Sequence, residues 1–159
     1  MYITLETDYA VRIVSVLCRS RVKMDAKTIS EQACVTLRFS LKILRKLLSN
    51  DIVRSFKGTQ GGYIVNKDPK DIALLMIVEA IEGTYCFSRC LLPDGICNRG
   101  ASDVCCYREA FCDITDTVRN KLASYNFADL IANSKEFKED KNANEMEQGE
   151  TIRGANPAD

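Results

Sequence analysis

The sequence predicts a mainly α chain carrying one small β-hairpin, with a single long helix beyond it. Three observations lead there. Apolar residues recur at helical spacing through the first fifty positions. A glycine-rich turn then separates two short β-prone runs, and a second helical stripe begins near Val104. At 159 residues the chain has room for one packed domain, or one domain with an appended element.

Thr7 and Asp8 mark the start of a first helix, since either side chain can cap it, and Ala10, Ile13, Val14, Leu17 and Cys18 then form one apolar face. Cys18 lies within that stripe and reads as a small buried hydrophobe. Asp25 caps a short second helix through about Ala33, with Ile29 and Ala33 inward, and Cys34 falls in the following turn. A third helix spans Thr36 to Ser49. At 100° per residue, Leu37, Leu41, Leu44 and Leu48 stack within about 60° of arc, and Ile43 and Leu47 broaden that side. Arg38, Lys42, Arg45, Lys46 and Ser49 fill the opposite face, which contains no acid.

Ile52–Lys57 reads as a strand, residues 58–61 as a turn and Gly62–Val65 as the returning strand. Helix, turn, basic helix and glycine-rich hairpin is the order of a winged helix-turn-helix, in which the third helix enters the major groove and the hairpin touches phosphates or the minor groove. Asp68 and Pro69 open a further helix that runs to Glu82, where Gly83 stops it. Its run from Ile72 to Ile81 is apolar nearly all round, as expected of an element buried between reading head and partner. From Val104 the long helix presents Phe111, Ile114, Val118 and Leu122 inward, and residues 126–131 form a short docking piece. The expected organisation is therefore a winged helix-turn-helix over 1–67, a connecting helix over 68–83, a cysteine-rich loop over 84–106, a dimerisation helix with its docking segment over 107–133, and a polar tail over 134–159 too poor in apolar residues to order.

Composition narrows the function. Net charge is zero, but residues 1–65 hold 11 Lys/Arg against 5 Asp/Glu while the remainder holds 11 against 17, so only the front is suited to a polyanion. With no histidine, imidazole-dependent catalytic triads and imidazole metal ligands are excluded. No apolar run follows a basic start, and the longest apolar block is interrupted by Glu79, so neither a secretory signal nor a membrane span is expected and the location is taken as cytoplasmic. Six of the eight cysteines lie between Cys86 and Cys112. In a reducing compartment such clustering points to metal binding or redox sensing rather than structural disulfides.

The motifs Thr7-Asp-Tyr-Ala-Val-Arg12, Leu41-Lys-Ile-Leu-Arg-Lys-Leu47, Gly58-Thr-Gln-Gly-Gly-Tyr63, Asp68-Pro69 and Glu82-Gly83, in this order and spacing, resemble those of the Rrf2 family of bacterial transcription regulators. The resemblance covers residues 1 to about 131. It implies a homodimer crossed through the long helix and bound to a roughly palindromic operator in double-stranded DNA. It also implies, for cluster-binding members, three cysteine ligands to an iron–sulfur cluster ([2Fe-2S] or [4Fe-4S]). The matching positions here are Cys90, Cys97 and Cys105, with six and seven residues between them, each slightly longer than the usual gap. Cys106 is the alternative to Cys105. Where some members have a histidine as fourth ligand this chain has Arg108, and Asp8 of the partner's first helix is the implied substitute, with Cys112 and Cys86 competing.

Thiolate sulfur suits iron–sulfur and zinc alike, although the paired C-x2-C knuckles of structural zinc sites are absent. The vicinal Cys105-Cys106 pair offers a third option, a reversible thiol switch. For DNA, Arg38, Ser40, Lys42 and Lys46 are expected at the groove, and Lys57, Gly58, Thr59, Gln60 and Gly61 at the backbone or minor groove. A small thiol redox enzyme is disfavoured: the chain has no C-x-x-C motif, general-base histidine or nucleotide-cradling loop, so no enzymatic activity is expected.

Overall fold

The computed structural model describes residues 3–58, 61–101 and 104–134. Helix α1 (Leu5–Ser20) begins three residues earlier than its sequence suggests, because Thr4 rather than Thr7 or Asp8 is the cap: its Oγ1 accepts from Thr7 N at 3.3 Å. Thr7 is instead fully buried in the first turn. The expected apolar face is buried, Cys18 included, and burial pushes the Cys18 thiol up to about 12, leaving it an inert core group. Asp25 caps α2 (Ala26–Gln32), accepting from Lys27 N at 2.9 Å and Thr28 N at 3.0 Å. Cys34 makes the turn after it with a left-handed backbone (φ 53°).

Helix α3 (Leu37–Ser49) has the expected bounds but not the expected rotation. Ser40, Ile43, Leu44 and Leu47 are buried, whereas Leu37 is 44% and Leu48 40% exposed. The buried arc therefore sits roughly 80° around the helix from the leucine stripe. Packing against α1, α2 and the later helix Leu74–Glu82 selects the Ile43/Leu47 side, and Leu37 and Leu48 stay at its edge. The hairpin, β1 (Val53–Phe56) and β2 (Gly62–Val65), is antiparallel in the register Val53↔Val65 to Phe56↔Gly62. Met24 extends it by one bridge to Tyr63, and a Cβ on Gly62 would stand 2.5 Å from the Met24 carbonyl oxygen, so this approach requires glycine.

The single helix expected from Pro69 to Glu82 is two elements. A 3-10 turn, Pro69–Asp71, is capped by Asp68, and α4 (Leu74–Glu82) follows after an extended break. The break exists because the backbone there pairs with the segment between α5 and α6, residues 125–127: Leu74 N donates to Tyr125 O at 2.8 Å and Phe127 N to Ile72 O at 3.0 Å. Helix α4 stops at Gly83, whose φ of 84° suits glycine. A 3-10 turn at Arg89–Leu91 punctuates the cysteine loop, after which come α5 (Cys106–Ala123) and α6 (Phe127–Ala132). Phe127 docks α6 in the core at 1% exposure. Helix α5 buries only Thr115; Phe111, Val118 and Leu122 are half-buried and Ile114 is 39% exposed, so its apolar stripe is not the inward face expected of it within one chain. Of the expected tail, Ser134 is described and the rest lies outside the described residues.

Candidate nucleic-acid interface and cysteine loop

Two groups of residues stand out, joined by the C-terminal end of α4. On α3, Arg38, Lys42 and Arg45 face solvent beside Leu37, Phe39 and Leu41, and together they line an open hollow. Lys42 reaches back to Glu6, its Nζ donating to Oε2 at 2.9 Å, but its side chain remains 57% exposed. Two other residues expected at the groove lie elsewhere. Ser40 is 0% exposed, set among the core residues of α3, where DNA cannot touch it. Lys46 turns inward, its Nζ donating to the Ile81 carbonyl at 3.0 Å and standing 2.9 Å from Glu6 Oε1. That carboxylate oxygen is buried and accepts no well-aligned hydrogen bond, so the Lys46 contact is held by charge. In the wing, Lys57 and Gly58 are exposed and Gly61 half-buried, while Thr59 and Gln60 lie outside the described residues.

The end of α4 grips the reading head. Glu82 Oε1 accepts from Thr4 N at 2.9 Å, Thr4 Oγ1 at 3.1 Å and Thr7 Oγ1 at 2.5 Å. Burial raises the Glu82 pKa, but these donors and the Lys46 charge outweigh it and hold the carboxyl below its ordinary value. Glu6 follows the same balance: burial raises it, and Lys46 and Lys42 more than compensate. One turn earlier on α4, Glu79 pairs with Arg119 of α5 and accepts from Tyr85 N at 3.2 Å. Phe87 N donates to Thr115 Oγ1 at 3.0 Å, and the Phe87 ring lies 5.5 Å from that of Phe111. The start of the cysteine loop is thus fastened both to α5 and, through α4, to α1 and α3. The sequence marks Glu82 within the Glu82-Gly83 motif and Glu79 as a break in an apolar run, but it signals neither their partners nor Glu6 and Arg119, since a lone charge carries no spacing signal.

None of the eight cysteines forms a disulfide. Cys86, Cys90, Cys97 and Cys105 are half-buried, Cys106 and Cys112 exposed. Cys90 Sγ lies 3.3 Å from Ser88 Oγ, Cys112 Sγ 4.0 Å from Asp116 Oδ2, and Cys105 occupies the N-cap position of α5. Asp8 stands in the first turn of α1 in an ion pair with Arg12 at 2.6 Å. In kind, this donor set fits a group bound by soft sulfur. In place it is open: among the described residues no three Cys, Asp or Glu side chains are gathered closely enough to hold a metal ion. Cys90, Cys97 and Cys105, half-buried like Cys86, would hold such a group, and the Asp8 side chain stays 40% exposed beside Arg12.

A winged helix-turn-helix with a cysteine loop hung between its connecting and long helices defines a regulator fold rather than an enzyme. The Rrf2 family model, described as "Iron-dependent Transcriptional regulator", matches residues 3–133, and the chain belongs to that family. The transcriptional regulator IscR of Photorhabdus laumondii subsp. laumondii is 28% identical over 105 residues, 66% of this chain. That match spans 62% of the relative, less than two thirds of its length. Two solved structures share the fold at a TM-score of 0.67. T. potens IscR is 20% identical, with 86% of this chain and 90% of that one covered; CymR, the global cysteine regulator of B. subtilis, is 21% identical, with 85% and 99% covered. Among the described residues, no helix is long and apolar enough to cross a membrane.

Proposed function

We propose that this chain is a homodimeric, DNA-binding transcriptional regulator whose operator affinity is set at the cysteine loop, with Cys90, Cys97 and Cys105 as ligands to an iron–sulfur cluster. The observation that carries the DNA reading is the solvent-facing Arg38/Lys42/Arg45 face of α3 beside an exposed wing, in a chain of a regulator family. Arginine suits guanine edges and lysine the phosphates. The incompletely buried α5 stripe supports a partner helix, and two copies of α3 set by that contact suit a two-fold operator. The family description and the IscR likeness support iron. A bound cluster would supply sensitivity to oxidants, nitric oxide or iron status.

The chain's own residues provide the route from loop to DNA. Tyr85 and Phe87 hold the loop's start on α5, Glu79 and Arg119 clamp α4 to α5, and Glu82 with the Ile81 carbonyl hold Thr4, Thr7 and Lys46. A rearrangement of the loop therefore reaches the seat of α3 through one short helix.

A thiol switch is the second reading, favoured by the ungathered thiols and by the likeness to CymR. Protein purified without air decides between them. Bound iron and sulfide with visible absorption, and operator affinity that changes when the cluster is lost, is the expected result. Colourless, iron-free protein whose DNA binding responds to peroxide and dithiothreitol supports the thiol reading. Absence of duplex binding in every state refutes both.

A further inference from the structure

The recognition helix carries an apolar feature that charge alone does not explain. Leu37 and Phe39, in its first turn, are 44% and 45% exposed, although both are large hydrophobes on a helix whose core face is otherwise filled. They share one hollow with the cations Arg38, Lys42 and Arg45. Phe39 is also held in place. Its ring meets that of Tyr9 edge-on at 6.0 Å (75° between planes), and Tyr9 in turn lies under the Arg12 guanidinium at 5.5 Å. A ring braced on one side and open on the other is a preorganised contact surface, not a loose surface side chain.

Resting on the DNA-binding reading above, we propose that Phe39 and Leu37 read thymine 5-methyl groups in the major groove. The first turn of a recognition helix is the part that reaches base edges in helix-turn-helix proteins. The 5-methyl of thymine is the one apolar group the major groove presents, and apolar side chains select it. Around the helix the cations Arg38, Lys42 and Arg45 lie between the two apolar side chains and complement a polyanion, which fits double-stranded DNA as the occupant rather than a protein surface. Specificity then has two chemistries on one turn: guanidinium for purine edges and hydrocarbon for thymine methyls.

The full chain is used to select its tightest duplex from a random-sequence pool, and that duplex is resynthesised with deoxyuridine replacing thymine one position at a time. Loss of one buried methyl is expected to weaken binding about fourfold at one or two positions per half-site. Phe39→Ala, Leu37→Ala or the pair is expected to bind thymine and uracil versions equally at those positions, with circular dichroism unchanged since both side chains lie outside the core. A 5-methylcytosine placed at a mismatched cytosine there should recover part of the wild-type affinity only. Equal wild-type affinity for thymine and uracil duplexes, or discrimination that survives in the double variant, overturns the proposal while leaving DNA binding intact. A shift in oligomeric state with discrimination unchanged assigns the two side chains to a subunit contact and overturns it too. Failure to enrich any duplex overturns the DNA-binding reading along with it.

Discussion

Replacing Ser40 by alanine separates a core position from a DNA-contacting one. Ser40 is 0% exposed, and its Oγ has no hydrogen-bond partner among the described residues. A hydroxyl desolvated without a partner costs about 1–3 kcal/mol, and alanine is favoured over serine in a helix interior by about 0.5 kcal/mol. The void left by one oxygen, and any back-bond Oγ gains to the Thr36 carbonyl by rotating, offset part of this. The net expectation for Ser40→Ala is a gain of about 1–2 kcal/mol, or roughly 3–7 °C in melting temperature. Urea denaturation followed by circular dichroism at fixed protein concentration measures the first, and calorimetry the second. Duplex affinity and its salt dependence should not change. A destabilised variant would show that Oγ is satisfied in the native protein; undiminished stability with a severalfold loss of DNA affinity would show that α3 is rotated the other way.

Other residues on the same helix separate just as cleanly. Arg45→Ala is expected to lower the slope of log affinity against log salt by about 1, as for a lost phosphate contact, whereas Lys46→Ala leaves the slope and costs about 1 kcal/mol of stability through its contacts to Glu6 and Ile81. Acid titration tests the two carboxylates: both Glu6 and Glu82 sit below the ordinary value of 4.5 when folded, so the unfolded chain takes up protons first as pH falls. Their contribution is complete above about pH 4.5 and is lost below it, and Glu6→Gln with Glu82→Gln should flatten that acid limb in a denaturation series. Ile114→Glu should convert dimer to monomer in analytical ultracentrifugation if the α5 stripe is a subunit contact, with little change in the fold of the reading head, because Ile114 is 39% exposed in the single chain.

Periodicity and turn chemistry made most of the fold legible. The glycines of the wing, the Asp25 cap, the Gly83 stop and the Phe127 docking piece all stand where their local chemistry places them. What periodicity cannot supply is phase. Seven apolar residues on α3 span a wide arc, and only the neighbours α1, α2 and α4 decide that Ile43 and Leu47 go in while Leu37, Phe39 and Leu48 stay out. The break before α4 was hidden for a related reason. Nothing local in Ile72-Ala73 forbids a helix; the extended backbone is held by hydrogen bonds to Tyr125 and Phe127, more than fifty residues away.

The site divides along the same line. Exposed groups such as Arg38, Lys42 and Arg45 follow from helix geometry, because solvent imposes nothing further on them. Lys46 does not, since its four-carbon stem lets the ammonium leave the face its Cα occupies and find Glu6 and the Ile81 carbonyl. Residue spacing along the cysteine loop likewise says which thiols are near in sequence, while gathering them depends on a loop whose described residues are ordered by a short 3-10 turn and by turn hydrogen bonds. A segment of that kind is suited to rearrangement because little regular structure has to be broken. The fastened part, from Glu79 to Phe87, lies between loop and reading head, and besides the packed Ile81 and the Phe87–Phe111 contact its anchors are charges and hydroxyls. Directional contacts of this sort are lost over short displacements, so a small movement at the end of α4 breaks the Lys46–Ile81 and Thr7–Glu82 hydrogen bonds before it disturbs the packed core of α3.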